Sequence, residues 1–261
     1  MKKLKKPKKI AVFPDFHCPY EDKIAVEVAL KLTRWYRPDE IIVLGDFVDC
    51  APVSHWNRKN LRERNGMNMA ADFKVANGYL DQMQEICPNL TYIRGNHEKW
   101  LDDAMDETPE LAGLLDLDIN LRFKERKIRD IPFNGIYTLG HLSFTHGLYT
   151  NSHHALTHVQ KFGRSIVYGH LHDVQMAISV SPVDVEDKHM GLSLGCLAAI
   201  NPRFMKNRPS NWQHCVGIGM IRPDGGFNID PIIISRAAAS YAGKTFRADT
   251  ESRQKRRLKA A

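Results

Sequence analysis

The feature that most limits how this chain can fold is a strand–helix–strand pattern near its start. Residues 9–13 and 41–44 are short apolar runs typical of buried strands, and residues 21–35 between them carry apolar side chains at helical spacing. A strand, a helix and a second strand in this order form a right-handed βαβ unit, which places the carboxyl ends of both strands at one edge of a sheet. The sequence therefore predicts an α/β domain with its ligand groups at that edge.

Five of the predicted strands end in side chains that bind hard or borderline divalent metal ions. Carboxylate, amide oxygen and imidazole groups together suit manganese, iron, zinc or similar ions, and the lack of a thiolate argues against a structural zinc site. Seven such side chains are too many for one catalytic ion. If one carboxylate bridges, they divide into two sets of four, each with positions open for water and substrate. The seven are Asp15, His17, Asp46, Asn96, His146, His170 and His172.

The order of these motifs resembles the calcineurin-like metallophosphoesterase superfamily over roughly residues 10–235. The motifs are Asp-x-His, Gly-Asp-x-x-Asp, Gly-Asn-His-Glu, His-Gly and Gly-His-x-His. The resemblance implies a four-layer α/β/β/α sandwich, in which two mixed β-sheets pack together and are flanked by helices. It also implies a metal-dependent hydrolase of phosphate esters. The expected cofactor is a pair of divalent ions, manganese by preference, with iron, zinc, nickel or cobalt as alternatives.

The same resemblance divides the ligands between the two ions. The first ion would be held by Asp15, His17, Asp46 and His172, and the second by Asp46, Asn96, His146 and His170, so that Asp46 bridges. His97 would stand beside the phosphate as an acid or a positioning group, with Asp49 orienting its imidazole. Next to His97, we expect Gly95 to let the backbone turn sharply at the end of a strand.

Formal charge makes this chemistry plausible without the resemblance. Two divalent ions bring +4, whereas Asp15, Asp46 and a shared hydroxide bring −3, so positive charge remains to hold a phosphoryl oxygen. A two-metal site also lowers the pKa of the shared water and stabilises the charge that develops during in-line attack. His97 would then protonate the leaving oxygen, an effect worth about 10²- to 10⁴-fold in rate.

The net charge of +7 belongs to the two ends of the chain. Residues 1–9 carry six Lys and residues 253–261 carry five Lys or Arg; removing these eleven from the 37 basic residues leaves 26 against 30 acidic ones. Such ends are either solvated tails or arms that hold a polyanion through phosphate contacts. The predicted divisions are a basic N-terminal arm (1–9), a metallophosphoesterase domain (10–236) with a helical insertion (98–133), and a basic C-terminal tail (237–261).

A polar, basic segment at residues 51–66 is expected to form a loop that touches substrate. Trp56 lies there among several cations, a pattern that favours nucleic acid or a nucleotide. Two histidines that follow the predicted ligand His146 are further candidates, with surface positions on a polar helix over 152–162 as the alternative. The candidate substrate contacts are Asn96, His97, Arg58, His153 and His154.

The residue after the Gly-Asp-x-x-Asp motif bears on the class of substrate. In the protein phosphatases of the family, this motif continues with Arg-Gly and the Arg helps to clamp phosphate, whereas here Cys50 follows. This difference counts against a Ser/Thr protein phosphatase. We expect a phosphodiesterase or nuclease acting on nucleic acid or nucleotides. The alternatives are a phosphomonoesterase for small or protein-bound phosphate, and a non-catalytic metal-binding scaffold.

The second half of the chain changes to short strands. A hairpin is predicted at residues 136–145, and four further apolar runs are expected to complete a second sheet. These runs are 174–180, 192–199, 215–221 and 227–234.

Cysteines and apolar runs bear on the compartment. Five cysteines without a C-x-x-C pair argue against a disulfide framework, so buried thiols are expected. No run approaches the ~18 apolar residues of a membrane span, and residues 10–13 are too short for the core of a signal peptide. We expect a soluble, cytoplasmic protein without membrane contact, and the sequence leaves its oligomeric state open.

Overall fold

The computed structural model describes residues 6–55, 65–202, 205 and 208–249. Helices in these residues are α1 (Lys23–Tyr36), α2 (Met69–Ile86), α3 (Asn96–Glu107), α4 (Leu117–Asn120), α5 (Phe123–Arg126) and α6 (His154–Phe162), with a 3-10 turn at Pro109–Leu111. The strands are β1 (Lys8–Phe13), β2 (Glu40–Val43), β3 (Leu90–Ile93), β4 (Arg129–Ile131), β5 (Tyr137–Leu139), β6 (Leu142–Phe144), β7 (Ser165–Tyr168), β8 (Val174–Val180), β9 (Lys188–Leu194), β10 (Cys215–Ile221), β11 (Phe227–Ile233), β12 (Ala238–Tyr241) and β13 (Lys244–Arg247).

The first sheet is built on the predicted βαβ unit. Its strand order is β11-β10-β1-β2-β3-β4, with β1 to β4 parallel and β10 and β11 antiparallel. The expectation that residues 215–221 and 227–234 complete the second sheet is wrong, because β10 pairs with β1 and places Gly219 opposite Ile10. An apolar run predicts that a strand is buried, but it does not specify which strand lies beside it.

The second sheet contains the predicted hairpin at one edge. Its order is β5-β6-β7-β9-β8, and β6, β7 and β9 run parallel. The prediction of a hairpin over residues 136–145 is confirmed, since Leu139 pairs with Leu142 across the turn between β5 and β6. The carboxyl ends of β6 and β7 therefore lie side by side, as do those of β1, β2 and β3 in the first sheet.

Side chains on β1 show how the layers are formed. Ala11 and Phe13 belong to a core shared with α1 and α2, whereas Ile10 and Val12 belong to a second core with side chains of the other sheet. Because both faces of the strand are buried, its sequence is a continuous apolar run rather than an alternating one. With α6 packed on β8 and β9, the described residues form the predicted four-layer α/β/β/α sandwich.

Two helices of the outer layer begin at polar caps. The side chain of Asp22 accepts hydrogen bonds from the N–H groups of Ile24 and Ala25, and Asn68 caps α2 in the same way. At its other end, α1 stops at Arg37, which adopts a left-handed conformation (φ 54°). These caps fix the lengths of the helices that cover the first sheet.

The chain after residue 236 does not begin as a tail. β12 and β13 pair as an antiparallel hairpin, and Phe246 is 6% exposed with its ring centroid 5.4 Å from that of Trp35 on α1. The predicted boundary at 236 is wrong for these residues, because the apolar contacts of Ala239 and Phe246 attach the hairpin to the core. The basic segment 253–261 lies outside the described residues.

The segment predicted as a helical insertion, 98–133, ends as part of the sheet. Most of α3 and both short helices lie in it, but its last part is β4, which pairs in parallel with β3. The segment thus covers α2 and β3 and also extends the first sheet by one edge strand.

No helix among the described residues is long and apolar enough to cross a membrane. All five cysteines are buried and unpaired. Burial raises the pKa of the Cys18 and Cys50 thiols well above the usual value. Both side chains are therefore packing groups beside the candidate site rather than reactive thiolates.

Candidate metal centre

The seven side chains predicted as metal ligands lie together at the carboxyl ends of β1, β2, β3, β6 and β7. Three groups of described side chains place their ligand atoms within 4.8 Å of one another. Two of them contain only predicted ligands and are called the clusters; the third, His17 with Asp49 and His97, shares His17 with the first cluster. Asn96 joins the second cluster, because its Oδ1 lies 2.9 Å from His146 Nε2. The clusters are Asp15 with His17 and His172, and Asp46 with His146 and His170. The division of these ligands between two ions, which the family resemblance implies, stays a prediction.

Asp46 lies between the two clusters. Its Oδ2 is 3.3 Å from His146 Nε2 in the second cluster and 3.8 Å from His17 Nε2 in the first. The same oxygen is 3.8 Å from Nε2 of His97. A ligand shared by two ions would need to lie in such a position.

Hydrogen bonds behind two of the imidazoles select the nitrogen that faces the clusters. His146 Nδ1 donates to the carbonyl oxygen of Leu44 at 2.8 Å, and His17 Nδ1 bonds to Asp49 Oδ2 at 2.9 Å. Each Nε2 is thus left directed at the clusters, which is the arrangement that metal-binding histidines use.

The donor set fits divalent ions. His17 Nε2 and His172 Nε2 face each other at 3.0 Å, and His170 Nδ1 faces His146 Nε2 at 3.2 Å. Lone pairs that converge on one space, beside two buried carboxylates, are what a divalent ion requires of its ligands. His172 Nδ1, moreover, is buried and has no hydrogen-bond partner among the described residues. Hydrogen bonds among the side chains of the centre therefore do not provide a partner for every buried nitrogen.

The two buried carboxyl groups of the centre differ in pKa because of burial and neighbouring charges. Burial, together with the negative charge of Asp46, raises the pKa of Asp15 to about 7, although His146 opposes the shift. Burial also favours a raised pKa for Asp46. The positive charges of His146 and His97 outweigh this effect and hold the pKa of Asp46 well below its usual range. The centre therefore carries one firmly ionised carboxylate and one that retains its proton more readily.

The histidines of the centre also differ in pKa. Burial lowers the pKa of His17 and His146, yet the charges and hydrogen bonds of Asp49 and Asp46 reverse this and raise them to about 9 and about 10. Burial and the neighbouring imidazoles lower the pKa of His170 to about 4. Divalent ions must displace the protons of the first pair, so their binding releases protons and is pH-dependent.

Four of the seven candidate ligands hold left-handed backbone conformations. The φ angles of His17, Asp46, His170 and His172 are 54°, 45°, 73° and 64°. Residues with a β-carbon avoid this region, at a cost of roughly 1–2 kcal/mol each. Conformations of this kind persist only where surrounding contacts over-determine them, and they concentrate at functional sites.

Two glycines allow the strand ends to approach each other. A β-carbon on Gly45 would lie 2.6 Å from the Gly95 nitrogen, and one on Gly95 would lie 2.2 Å from Asp46 Oδ1. The expectation that Gly95 serves a sharp turn is wrong, because its φ of −92° is open to any residue. Glycine is required here by the close approach of Asp46 to the start of α3.

Glu98 organises the loop that carries Asp46. The side chain is 1% exposed, and its two oxygens accept hydrogen bonds from four backbone N–H groups and one hydroxyl. Glu98 lies within the Gly-Asn-His-Glu motif, but the motif alone does not indicate this function. An acid three residues after a helix N-cap is known to bond back to the N-cap N–H, which is a usable signal. The donors are the N–H groups of Asp46 (3.0 Å), Phe47 (2.8 Å), Val48 (3.1 Å) and Gly95 (2.7 Å), and the hydroxyl of Tyr92 (2.7 Å).

Asp49 contacts His97 differently from the expectation. Nδ1 of His97 donates to the main-chain carbonyl oxygen of Asp49 at 2.6 Å, whereas the Asp49 carboxylate is 3.7 Å away and bonds to His17 instead. The ring of His97 packs on Trp100 with centroids 3.9 Å apart. His97 is thus oriented by a backbone oxygen and an aromatic ring, with Nε2 directed towards Asp46.

A second group of residues that sequence reasoning missed connects the loops of the second sheet. His158 Nε2 accepts hydrogen bonds from the N–H groups of Leu148 (3.0 Å) and Tyr149 (3.3 Å), just after His146. Its ring stacks on Tyr168, two residues before His170, at 3.8 Å between centroids. One face of α6 therefore supports the loops of two candidate ligands. The sequence gives only a weak signal for this contact, because the short helix has a polar composition that is typical of a surface helix.

The tentative substrate contacts are not all placed at the centre. His154 is buried, and its ring nitrogens bond to the Tyr168 hydroxyl (2.6 Å) and to the Asp173 carboxylate (3.1 Å). No ring nitrogen of His154 remains for a substrate, so that expectation is wrong. His153 is exposed at the start of α6, and Arg58 lies outside the described residues.

A comparison with protein families decides the class of this chain. The sequence model described as calcineurin-like phosphoesterase matches residues 8–214. The chain belongs to this family. It is accordingly a hydrolase that acts on phosphate esters, and family membership agrees with the paired clusters of metal-binding side chains.

Similar proteins include the Gene 54 proteins of Mycobacterium phages D29 and L5. Each is 22% identical to this phosphoesterase, over 84% of this chain and 90% of the relative. Among solved structures, vacuolar protein sorting 29 from Cryptosporidium parvum matches 93% of this chain and 96% of its own, with 12% identity and a TM-score of 0.45. The nuclease MPE of Pseudomonas putida matches 91% and 86%, with 14% identity and a TM-score of 0.36.

Proposed function

We propose that this phosphoesterase is a two-metal phosphodiesterase that acts on nucleic acid or nucleotides, with manganese as its ion. The observation that carries the proposal is the position of Asp46. Its carboxylate lies between two ligand clusters and 3.8 Å from Nε2 of His97, so a proton-transfer group stands beside the proposed metal positions. Such a group assists hydrolysis of a phosphate ester, because an alcohol leaves readily only when its oxygen receives a proton.

The side chains divide the work in the proposed mechanism. Two divalent ions held at the centre would supply positive charge for the phosphoryl oxygens and would activate the attacking water. In this proposal the first ion would be held by Asp15, His17, Asp46 and His172, and the second by Asp46, Asn96, His146 and His170. His97 delivers a proton from Nε2 to the leaving oxygen. Its Nδ1 is held by the Asp49 carbonyl, which keeps Nε2 directed at the site.

The choice of diester and nucleic acid is supported by two further features. Cys50 is buried where the protein phosphatases of the family carry an Arg, so no cation at that position clamps a terminal phosphate. Both ends of the chain are strongly basic, which favours a polyanionic substrate.

The test is a comparison of substrates on one protein sample. The full chain, stripped of metal and reloaded with Mn²⁺, is given an aryl phosphomonoester, an aryl phosphodiester, and single- and double-stranded DNA and RNA. We expect diester cleavage to exceed monoester cleavage, and His97→Ala to lower turnover about 10²- to 10⁴-fold. His141→Ala, which alters an exposed histidine on the β5–β6 turn, is the matched control and should retain full activity.

Other outcomes would assign a different function. Faster cleavage of the monoester than of the diester would favour a phosphomonoesterase. No turnover of any ester by the Mn²⁺-loaded protein would remove both enzymatic assignments and leave a binding scaffold.

A further inference from the structure

A basic cleft lies at the opposite end of α1 from the metal centre. Its volume is about 570 Å³, and its aromatic walls are the rings of Trp35, Tyr36 and Phe246. No carboxylate is among the described residues that line it. We call it the basic cleft, after the five cations that line it: Lys9, Lys31, Arg34, Arg37 and Lys244.

Two of these cations form ion pairs, and the other three form none with a described carboxylate. Lys31 pairs with Glu27 at 2.8 Å and with Asp249 at 2.5 Å, and Arg34 pairs with Glu85 at 3.7 Å. Within the described part of the chain, no carboxylate forms an ion pair with the side chains of Lys9, Arg37 or Lys244. Like charges gathered in one cleft repel each other, and a bound polyanion relieves this repulsion while it releases its counterions.

Trp35 adds a stacking surface to the charge. Its side chain is 40% exposed, although the ring also packs against Phe246 at 5.4 Å between centroids. Lys244 Nζ lies 5.6 Å from the centroids of both rings, and Lys9 Nζ lies 4.2 Å above the ring of Tyr36. Exposed aromatic rings among cations are the pattern by which proteins hold single-stranded nucleic acid, because every base can stack on them.

The cleft is separate from the metal centre. Helix α1 has 14 residues and is therefore about 20 Å long, and the cleft lies at its Tyr36 end. On β1, Lys9 stands near the amino end, whereas Asp15 follows the carboxyl end. Ligand bound in the cleft therefore does not occupy the metal positions.

We propose that the basic cleft is a docking site for single-stranded nucleic acid, distinct from the metal centre. The inference rests on the proposed function for the identity of the polyanion. It predicts that binding and hydrolysis are carried by different surfaces of the molecule.

The experiment measures binding without hydrolysis. Metal-free full chain is titrated against a fluorescently labelled single-stranded oligonucleotide at several salt concentrations, with anisotropy as the signal. We expect Arg37→Glu with Lys244→Glu to weaken binding at least about 10-fold, and to reduce the slope of log affinity against log salt by about 1.4, the value for two lost phosphate contacts. Trp35→Leu should weaken binding about 10-fold through lost stacking.

A matched control has the same change of charge at exposed lysines elsewhere. Lys124→Glu with Lys161→Glu, on α5 and α6, should bind within about 2-fold of the parent chain. Binding by the cleft variant that equals this control would overturn the proposal. So would tighter binding of anionic lipid vesicles than of the oligonucleotide by the parent chain.

The two proposals fail separately. With Mn²⁺ loaded, the cleft variant should cleave an aryl phosphodiester at the parent rate. If that ester and DNA are never cleaved but the cleft variant loses oligonucleotide binding, the proposed function fails and the docking site stands. If DNA is cleaved and the cleft variant binds like the parent, the docking site fails and the proposed function stands.

Discussion

At the scale of single residues, neighbouring side chains have separate tasks. The Gly-Asp-x-x-Asp motif was expected to place a carboxylate behind His97, but the structure gives that place to the Asp49 carbonyl oxygen. The carboxylate of Asp49 bonds to His17, a candidate ligand of the first ion. Motif residues identify a site, whereas the contacts of each atom show what the residue does there.

Replacement of Asp49 by Ala should therefore act on the metal rather than on the proton donor. Loss of a carboxylate behind a metal-binding histidine typically lowers metal affinity 10- to 100-fold. We expect such a loss for the ion bound by His17, measured by titration with Mn²⁺, while turnover at saturating Mn²⁺ falls far less than in His97→Ala. Unchanged metal affinity together with a His97-like loss of turnover would show that the carboxylate acts through His97.

Glu98 should be a strong determinant of stability. Its carboxylate accepts five hydrogen bonds in a buried position, and Glu98→Gln turns an N–H donor towards some of these donors. We expect a loss of about 3 kcal/mol in the free energy of unfolding, measured with urea, because buried donors lose a charged acceptor. Glu125→Gln on α5, where the side chain is exposed, should change it by less than about 0.5 kcal/mol. Equal effects of the two substitutions would contradict this account of Glu98.

At the scale of elements, α6 supports the second half of the site. His158 must stay neutral, because its Nε2 accepts two backbone hydrogen bonds, and burial lowers its pKa to about 4. The unfolded chain takes up this proton near pH 6.5, so the stabilisation is present above pH 6.5 and is lost as the pH falls towards 4.

The pH dependence of the free energy of unfolding should therefore differ between the parent chain and His158→Gln. Between pH 7 and pH 4.5 the free energy of unfolding should fall by about 2 kcal/mol more in the parent chain than in His158→Gln, which has no titrating imidazole at this position. Histidines of the metal centre contribute equally to both proteins and cancel in the difference. Equal falls, or an NMR titration that gives His158 a pKa near 6.5, would contradict the assignment.

The elements also show what the sequence was able to predict. The sequence indicates the candidate ligands because each comes within a few residues of the end of an apolar run, and that signal is local. The position of β10 beside β1, the hairpin of β12 and β13, and the support from α6 depend on contacts between residues far apart in the chain. Burial patterns mark such segments as buried, but they do not name the partner.

At the scale of the whole molecule, the metal centre joins the two sheets. Segments that follow strands of the first sheet supply Asp15, His17, Asp46 and Asn96, and segments that follow strands of the second sheet supply His146, His170 and His172. Each cluster therefore takes side chains from both sheets. Ions bound there would link the two halves of the sandwich directly.

Removal of metal should lower the stability of the entire domain. An ion that binds only the folded chain stabilises it by about 2.7 kcal/mol at a concentration 100 times its dissociation constant. We expect the midpoint of thermal unfolding to fall on chelation and to rise again with added Mn²⁺. His172→Ala should show a smaller rise than the parent chain, whereas His189→Ala, outside both clusters, should match the parent. A midpoint that does not respond to metal would contradict a centre shared between the sheets.

The most direct test of the two-metal account compares adjacent residues at the start of α3. Bound metal and turnover are measured on the same Mn²⁺-loaded samples of Asn96→Ala and His97→Ala. We predict that Asn96→Ala loses occupancy of the second ion, because Asn96 Oδ1 faces His146 Nε2. His97→Ala should keep both ions and lower turnover about 10²- to 10⁴-fold. Equal loss of metal in the two variants would contradict the separation of metal binding from proton transfer.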